Sequence, residues 1–247
     1  MKKFLCLFLS VVMILSLCFA MVGCTTGDTD DVRGDVVKND EEKEPAKDKK
    51  PTETTNPTET TTPTQQKTEP EFALGQSNGG TYRNDFLGLS CTLPGDWMFY
   101  TDEQMKQLNN ITGDILDKDL AEQLKNAKII YDMQAQHVTD GSTIGVNMEK
   151  LAALQIVALN IKENLEAQIP TIENTYAQMG FTDVKVKYEK VTVDGKEFDG
   201  MSLTAKIQNA DFAMVLFTFK KGNYLANVSI GTLQNNLDTL LGYIQIK

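Results

Sequence analysis

The chain has 247 residues, with 34 acidic against 24 basic side chains and a net charge of −10. That balance repels nucleic acid and anionic lipid headgroups, so no polyanion partner is expected. With four cysteines, two of them inside a leading apolar run, a disulfide framework is excluded as well.

Lys2-Lys3 precede an apolar stretch from Phe4 to Val22, broken only by Ser10 and Ser16. Its length suits a membrane span. A charged start, an apolar middle, small Gly23 and polar Thr25-Thr26-Gly27-Asp28 are instead the order of a cleaved export signal. Met21-Val22-Gly23-Cys24 resembles the lipobox of bacterial lipoproteins, with Met21 where Leu is usual. The resemblance implies lipidation of Cys24, cleavage between Gly23 and Cys24, and residues 1–23 as a signal peptide. It places the protein on the extracytoplasmic face of the bacterial cell membrane, held by fatty acyl chains such as palmitate. Two acyl chains suffice for stable anchoring. Loss of residues 1–23 takes Lys2 and Lys3 with it and brings the net charge to −12.

Residues 24–79 read as a disordered linker. Thr25 to Glu71 contain no aromatic residue, five of the seven prolines fall there, and a six-residue repeat runs PTETTN, PTETTT, PTQQKT. Such a composition buries too little apolar surface to offset chain entropy, and its prolines and acids favour extension. As a flexible coil it spans roughly 40 Å.

Residues 80–247 are the globular domain. Leu87, Leu89, Cys91 and Leu93 alternate as a strand, Pro94-Gly95-Asp96 turns, and Trp97 to Tyr100 returns as its hairpin partner. Thr101 and Gln104 make a capping box, and a second helix carries Leu116, Leu120, Leu124 and Ala127. Ile129, Tyr131, Met133, Ala135 and His137 share a strand phase, Asp140-Gly141 turns, and Ile144, Val146 and Met148 return. One long helix follows from Leu154 to Met179, with Pro170 kinking or splitting it and Gly180 ending it. Val184, Val186 and Tyr188 alternate, then Val191 and Val193 resume out of phase, which predicts a bulge near Glu189-Lys190. Asp194-Gly195 is a hairpin turn, Met201 to Ile207 the next strand, and Phe212 to Phe219 a strand covered on both faces. Tyr224 to Ile230 follow, then a last helix capped by Thr232 and bearing Leu233, Leu237, Leu240, Leu241 and Ile244.

This order predicts an α+β domain, an antiparallel sheet with helices on both faces. With NDFLGLSCTLPGDW at its start, it resembles the PsbP-like (Mog-type) α/β/α sandwich over about residues 82–247. In that family a strand, a Pro-containing turn and a Trp open the domain, here Leu89 to Leu93, Pro94 and Trp97. Its members are mostly accessory binding proteins, so the resemblance implies a non-catalytic role.

Residue by residue, no catalytic or metal site and no cofactor is expected, and the ligand-binding residues are left unassigned. His137 has no partner motif and reads as a structural histidine; Cys91 reads as a buried inert thiol. Asp28-Thr29-Asp30-Asp31 and Asp117-Lys118-Asp119 lack the calcium-loop pattern. Trp97, Phe99 and Tyr100 read as core anchors rather than a ligand patch. No GxSxG, HExxH, CxxC or phosphate loop occurs. The expected function is a cell-surface lipoprotein whose domain binds an envelope protein, glycan or small ligand. A membrane-anchored hydrolase with an unrecognised site is the alternative.

Overall fold

The computed structural model describes residues 71–110, 124 and 127–247. The expectations for the signal peptide, Gly23, Cys24, the acidic runs at 28–31 and 117–119, the linker up to residue 70, Leu116 and Leu120 fall outside the described residues.

Two antiparallel sheets form the frame. The smaller contains β1 (Gln76–Asn78), β2 (Thr81–Asn84), β3 (Leu89–Thr92) and, from the other end of the chain, β11 (Ile244–Ile246), in the order β1-β2-β3-β11. The larger has seven strands. In spatial order these are β4 (Trp97–Phe99), β5 (Ile129–His137), β6 (Thr143–Lys150), β10 (Tyr224–Thr232), β9 (Ala210–Lys221), β8 (Lys196–Ile207) and β7 (Thr182–Val193). Four helices complete the described elements: α1 (Asp102–Leu108), α2 (Ala153–Ala158), α3 (Ile161–Gln178) and α4 (Leu237–Leu241).

β9 shows how the layers stack. Phe212, Met214 and Leu216 face α3, where they pack with Leu165, Ile172 and Tyr176. Val215 and Phe217 face the opposite way, into a cluster shared with Leu89, Cys91, Ile244 and Ile246 of the small sheet. An unbroken apolar strand is therefore covered on both sides, as its sequence predicted. The covers differ from expectation. A helix lies on one face, and the other is closed by the small sheet, with Leu237, Leu240 and Leu241 of α4 packed into the same cluster. Leu124 and Ala127 belong to that second cluster, Leu124 as a helical residue.

Four local expectations are corrected. First, β3 and β4 are not a hairpin. β3 pairs with β2 and β11, whereas β4 pairs with β5, so the Pro94-Gly95 turn carries the chain from one sheet to the other. Second, β7 is regular at Glu189-Lys190, and its register shift falls between Thr182 and Lys185, where Asp183 has φ 53°. The out-of-phase valines have another cause: Val184, Val186 and Tyr188 pack on the α3 side and Val191 and Val193 on the small-sheet side. The strand changes which face it buries, and no extra residue is needed. Third, the long helix breaks before Pro170. Leu159 is extended, and the Asn160 side chain caps α3 by accepting from the Glu163 N–H, while Pro170 lies inside α3. Leu154 and Val157, expected in the core, are 85% and 81% exposed. Fourth, the last helix ends at Leu241, and Ile244 belongs to β11.

Other local signals are realised as read. The Thr101 hydroxyl accepts from the Gln104 N–H while the Gln104 amide oxygen accepts from the Thr101 N–H. Asp194 and Gly195 have φ of 49° and 72°, the positive pair that a two-residue hairpin turn demands.

Candidate functional site

The site begins with a defect in β5. Tyr131 faces Asn147 and Met133 faces Val146, so Asp132 is an extra residue, a bulge. The slip breaks the expected phase, so that Ile130, rather than Ile129 and Tyr131, joins Met133 and Ala135 in the core. It also turns the Asp132 carboxylate toward β2.

Three donors meet that carboxylate. Gly75 N–H donates to Oδ1 at 2.9 Å, Asn84 Nδ2 donates to Oδ2 at 2.7 Å, and the Tyr82 hydroxyl donates to Oδ2. Tyr82 is fully buried, so its hydroxyl needs a partner, and Asp132 supplies it. Gly75 must be a glycine here, because a Cβ on it would lie 2.2 Å from the Tyr82 ring. Burial lifts the Asp132 carboxyl above its ordinary value, opposed by the Tyr82, Asn84 and Gly75 hydrogen bonds. Burial and then the Asp132 charge push the Tyr82 phenol well above its own.

A second clamp sits on the other side of the bulge. β4 ends at Phe99, and Tyr100 N–H makes one more bond to the Gln134 carbonyl at 2.8 Å. Beyond it, Asn109 at the end of α1 imitates a strand. Its Oδ1 accepts from Tyr131 N–H at 2.9 Å, and its Nδ2 donates to the Tyr131 carbonyl at 2.8 Å.

Between these clamps opens a cleft of about 660 Å³, walled by residues 73–78, by Tyr100 and α1, and by residues 131–134. Among the described residues, Tyr100, Tyr131, Gln76, Asn109 and Gln134 line it, with Asp102 and Asp132 as its acids and no lysine or arginine. Aromatic faces, amides and carboxylates without a cation suit a neutral, hydroxyl-rich or cationic small ligand and disfavour an anion.

The residues singled out from the sequence lie elsewhere, apart from Tyr100. His137 ends β5, its Nε2 2.9 Å from Asp96 Oδ2 and its Nδ1 accepting from Asp140 N–H at 3.2 Å. Its ring meets Trp97 edge to face at 5.5 Å. The His137 hydrogen bond holds the Asp96 carboxyl below its ordinary value. Cys91 is fully buried on the other sheet, and burial pushes its thiol up to about 12. No hydrogen bond joins Cys91 and His137 among the described residues. Trp97 is buried, Phe99 packs against the same cluster, and neither lines the cleft. No group of three or more His, Cys, Asp or Glu that could hold a metal occurs among the described residues, and none of their helices is long and apolar enough to cross a membrane. Asp132 was missed in the sequence. The available signal was Asp132 between Tyr131 and Met133, the one carboxylate in β5.

No family model matches this sequence, and a comparison with curated proteins finds no match. Among solved structures, the chain is similar to a protein of Bacteroides thetaiotaomicron at 8% identity and a TM-score of 0.34, over 65% of this chain and 45% of that one. It thus spans less than half the length of that protein. It is also similar to LpqN of Mycobacterium tuberculosis, described as involved in cell envelope biogenesis, at 10% identity and a TM-score of 0.33, over 62% of this chain and 75% of that one. Likenesses this distant assign neither a family nor an activity.

Proposed function

We propose that this protein is a non-catalytic binding lipoprotein of the cell envelope, anchored through Cys24, whose domain takes a neutral glycan in the cleft beside Asp132. The cleft carries this reading. Its tyrosines offer stacking faces for a sugar ring, the Gln76 amide offers a donor and an acceptor for hydroxyls, and no lysine or arginine that an anionic ligand needs lines it among the described residues.

The hydrolase alternative draws on Asp102 and Asp132 sharing one cleft, with the Asp132 carboxyl raised as a general acid requires. The hydrogen bonding argues for binding instead. Both Asp132 oxygens accept from donors fixed in the fold, so the carboxylate holds the cleft wall rather than offering a proton to a ligand.

Chitotriose serves as the probe, followed by amide chemical shifts on the full chain. The expected result is saturable shifts at residues 73–78 and 131–134, with affinity falling about tenfold or more in Tyr100→Ala, the loss of one stacking face. Shifts absent at millimolar sugar would overturn the glycan reading. Release of reducing ends from chitotriose, lost in Asp132→Asn, would put the hydrolase first.

A further inference from the structure

We propose that the cleft beside Asp132 selects a glycan bearing N-acetyl groups, and that one face of α1 reads the acetamido group. The inference rests on the glycan reading of the cleft and names what that glycan carries.

The cleft is apolar where it is deep and polar where it is open. Leu124 and Met133 line it and are buried members of the cluster shared with the small sheet, and Leu74 packs against that cluster. Gln76 and Asp102 also line it and are exposed. A sugar that presents only hydroxyls satisfies the mouth but not the floor, because a hydroxyl pressed against apolar side chains loses its water partners. A methyl group carried on a polar stem suits both levels.

α1 supplies the second observation. Asp102 and Met105 line the cleft, as does Asn109 at the end of the helix. Positions three and four residues apart share one helical face, with neighbouring Cβ atoms about 5–6 Å apart. Asn109 is bonded through both of its polar atoms to the backbone of Tyr131, which fixes that face on the edge of β5. Exposed Asp102 and half-buried Met105 are the pair this face offers a ligand.

A trans secondary amide carries its N–H and its methyl on one edge and its carbonyl oxygen on the other. An acceptor beside a polarizable apolar side chain matches the first edge, so that Asp102 accepts from the acetamido N–H while Met105 meets the methyl. Gln76, on the wall formed by residues 73–78, donates to the carbonyl oxygen. Asp132 does not compete for the N–H, because both of its oxygens already accept from Gly75, Tyr82 and Asn84. A hydroxyl in place of the acetamido group puts nothing on Met105.

Amide chemical shifts of the full chain, titrated in parallel with N-acetylated chitotriose and with cellotriose, test this, since the two sugars differ only in their acetamido groups. Chitotriose is expected to bind about tenfold or more tighter than cellotriose. An NOE from its acetyl methyl to the Met105 methyl is expected in the complex. Met105→Ser should bring the ratio of the two affinities to about one, and Asp102→Ala should narrow it about fivefold. Shifts with neither sugar overturn the glycan reading and this inference with it. Equal affinities, with shifts at residues 73–78 and 131–134 from both sugars, leave the glycan reading standing and overturn the acetamido assignment alone. A ratio that survives Met105→Ser overturns that assignment too, as does an acetyl methyl without an NOE to α1. Tighter binding of the deacetylated, cationic trimer also overturns it, and makes the carboxylates of the cleft readers of a cation.

Discussion

A carboxylate taken out of water costs stability unless donors or a counter-charge replace the water it loses, and two acids of the large sheet meet this differently. Asp132 collects three donors. Glu149, 2% exposed, has no hydrogen-bond partner for its Oε1 among the described residues, and burial raises it from 4.5 to about 6, opposed by Lys128. The folded-state value is the higher one, so the folded protein binds the extra proton. Stability is full below about 4.5, falls as pH rises to about 6, and stays reduced above it. Such a shift corresponds to about 2 kcal/mol, or about 1 after solvent screening. Glu149→Gln should therefore stabilise the protein at pH 7 and leave it little changed at pH 4. Thermal melts of both proteins across pH 4–7 check this, and a constant difference would remove Glu149 as the cause. Gly75 acts at the same scale. Gly75→Ala drives a methyl into the Tyr82 ring, and overpacking of this kind costs about 1–3 kcal/mol. The Asp132 latch should loosen with it, read as faster amide exchange at residues 73–78.

α2 separates what helical spacing tells from what it does not. Leu154, Val157 and Ile161 recur at core-like intervals, yet the two of them on α2 face solvent, because Asn160 caps a new helix and resets the direction of the chain. Ile156, off that stripe, is the residue that anchors α2. Ile156→Ala should cost about 2–4 kcal/mol, whereas Val157→Ala should change stability by less than about 0.5. Denaturant melts decide between them, and equal costs would mean Val157 is covered in solution. Much else was legible. The capping box at Thr101, the turn at Asp194-Gly195 and the two-sided strand at Phe212 to Phe219 each rest on local chemistry and arise where local chemistry placed them. The cleft was not legible, since it depends on one inserted residue, on an asparagine completing the edge of β5, and on Gly75 and Tyr82 meeting from distant positions. Periodicity averages over an extra residue, and no spacing reports a contact between residues 75 and 132.

At the scale of the whole molecule, closure of the small sheet falls to the last residues of the chain. β11 is three residues long, too short to stand out in the sequence, yet it completes the sheet by pairing Ile244 with Cys91 and Ile246 with Leu89. Two contacts with the far edge of the large sheet hold it. Asp194 Oδ2 accepts from Ile246 N–H at 3.2 Å, and Lys196 Nζ donates to the Ile246 carbonyl at 2.6 Å. The turn between β7 and β8 thus grips the strand that covers Cys91. Contacts this remote in sequence carry a large loop-closure cost, so the small sheet should form late in folding and open first. Cys91 reports on it, because it pairs with Ile244 of β11 and is fully buried, and burial pushes its thiol up to about 12. Ile244→Ala and Ile246→Ala should each cost about 2–4 kcal/mol. Both should also speed reaction of Cys91 with a thiol reagent in native buffer, at denaturant concentrations where the α3 side of the large sheet stays protected from exchange. Cys91 opening only together with the α3 layer, in wild type and both variants, would instead show the two cores melting as one cooperative unit.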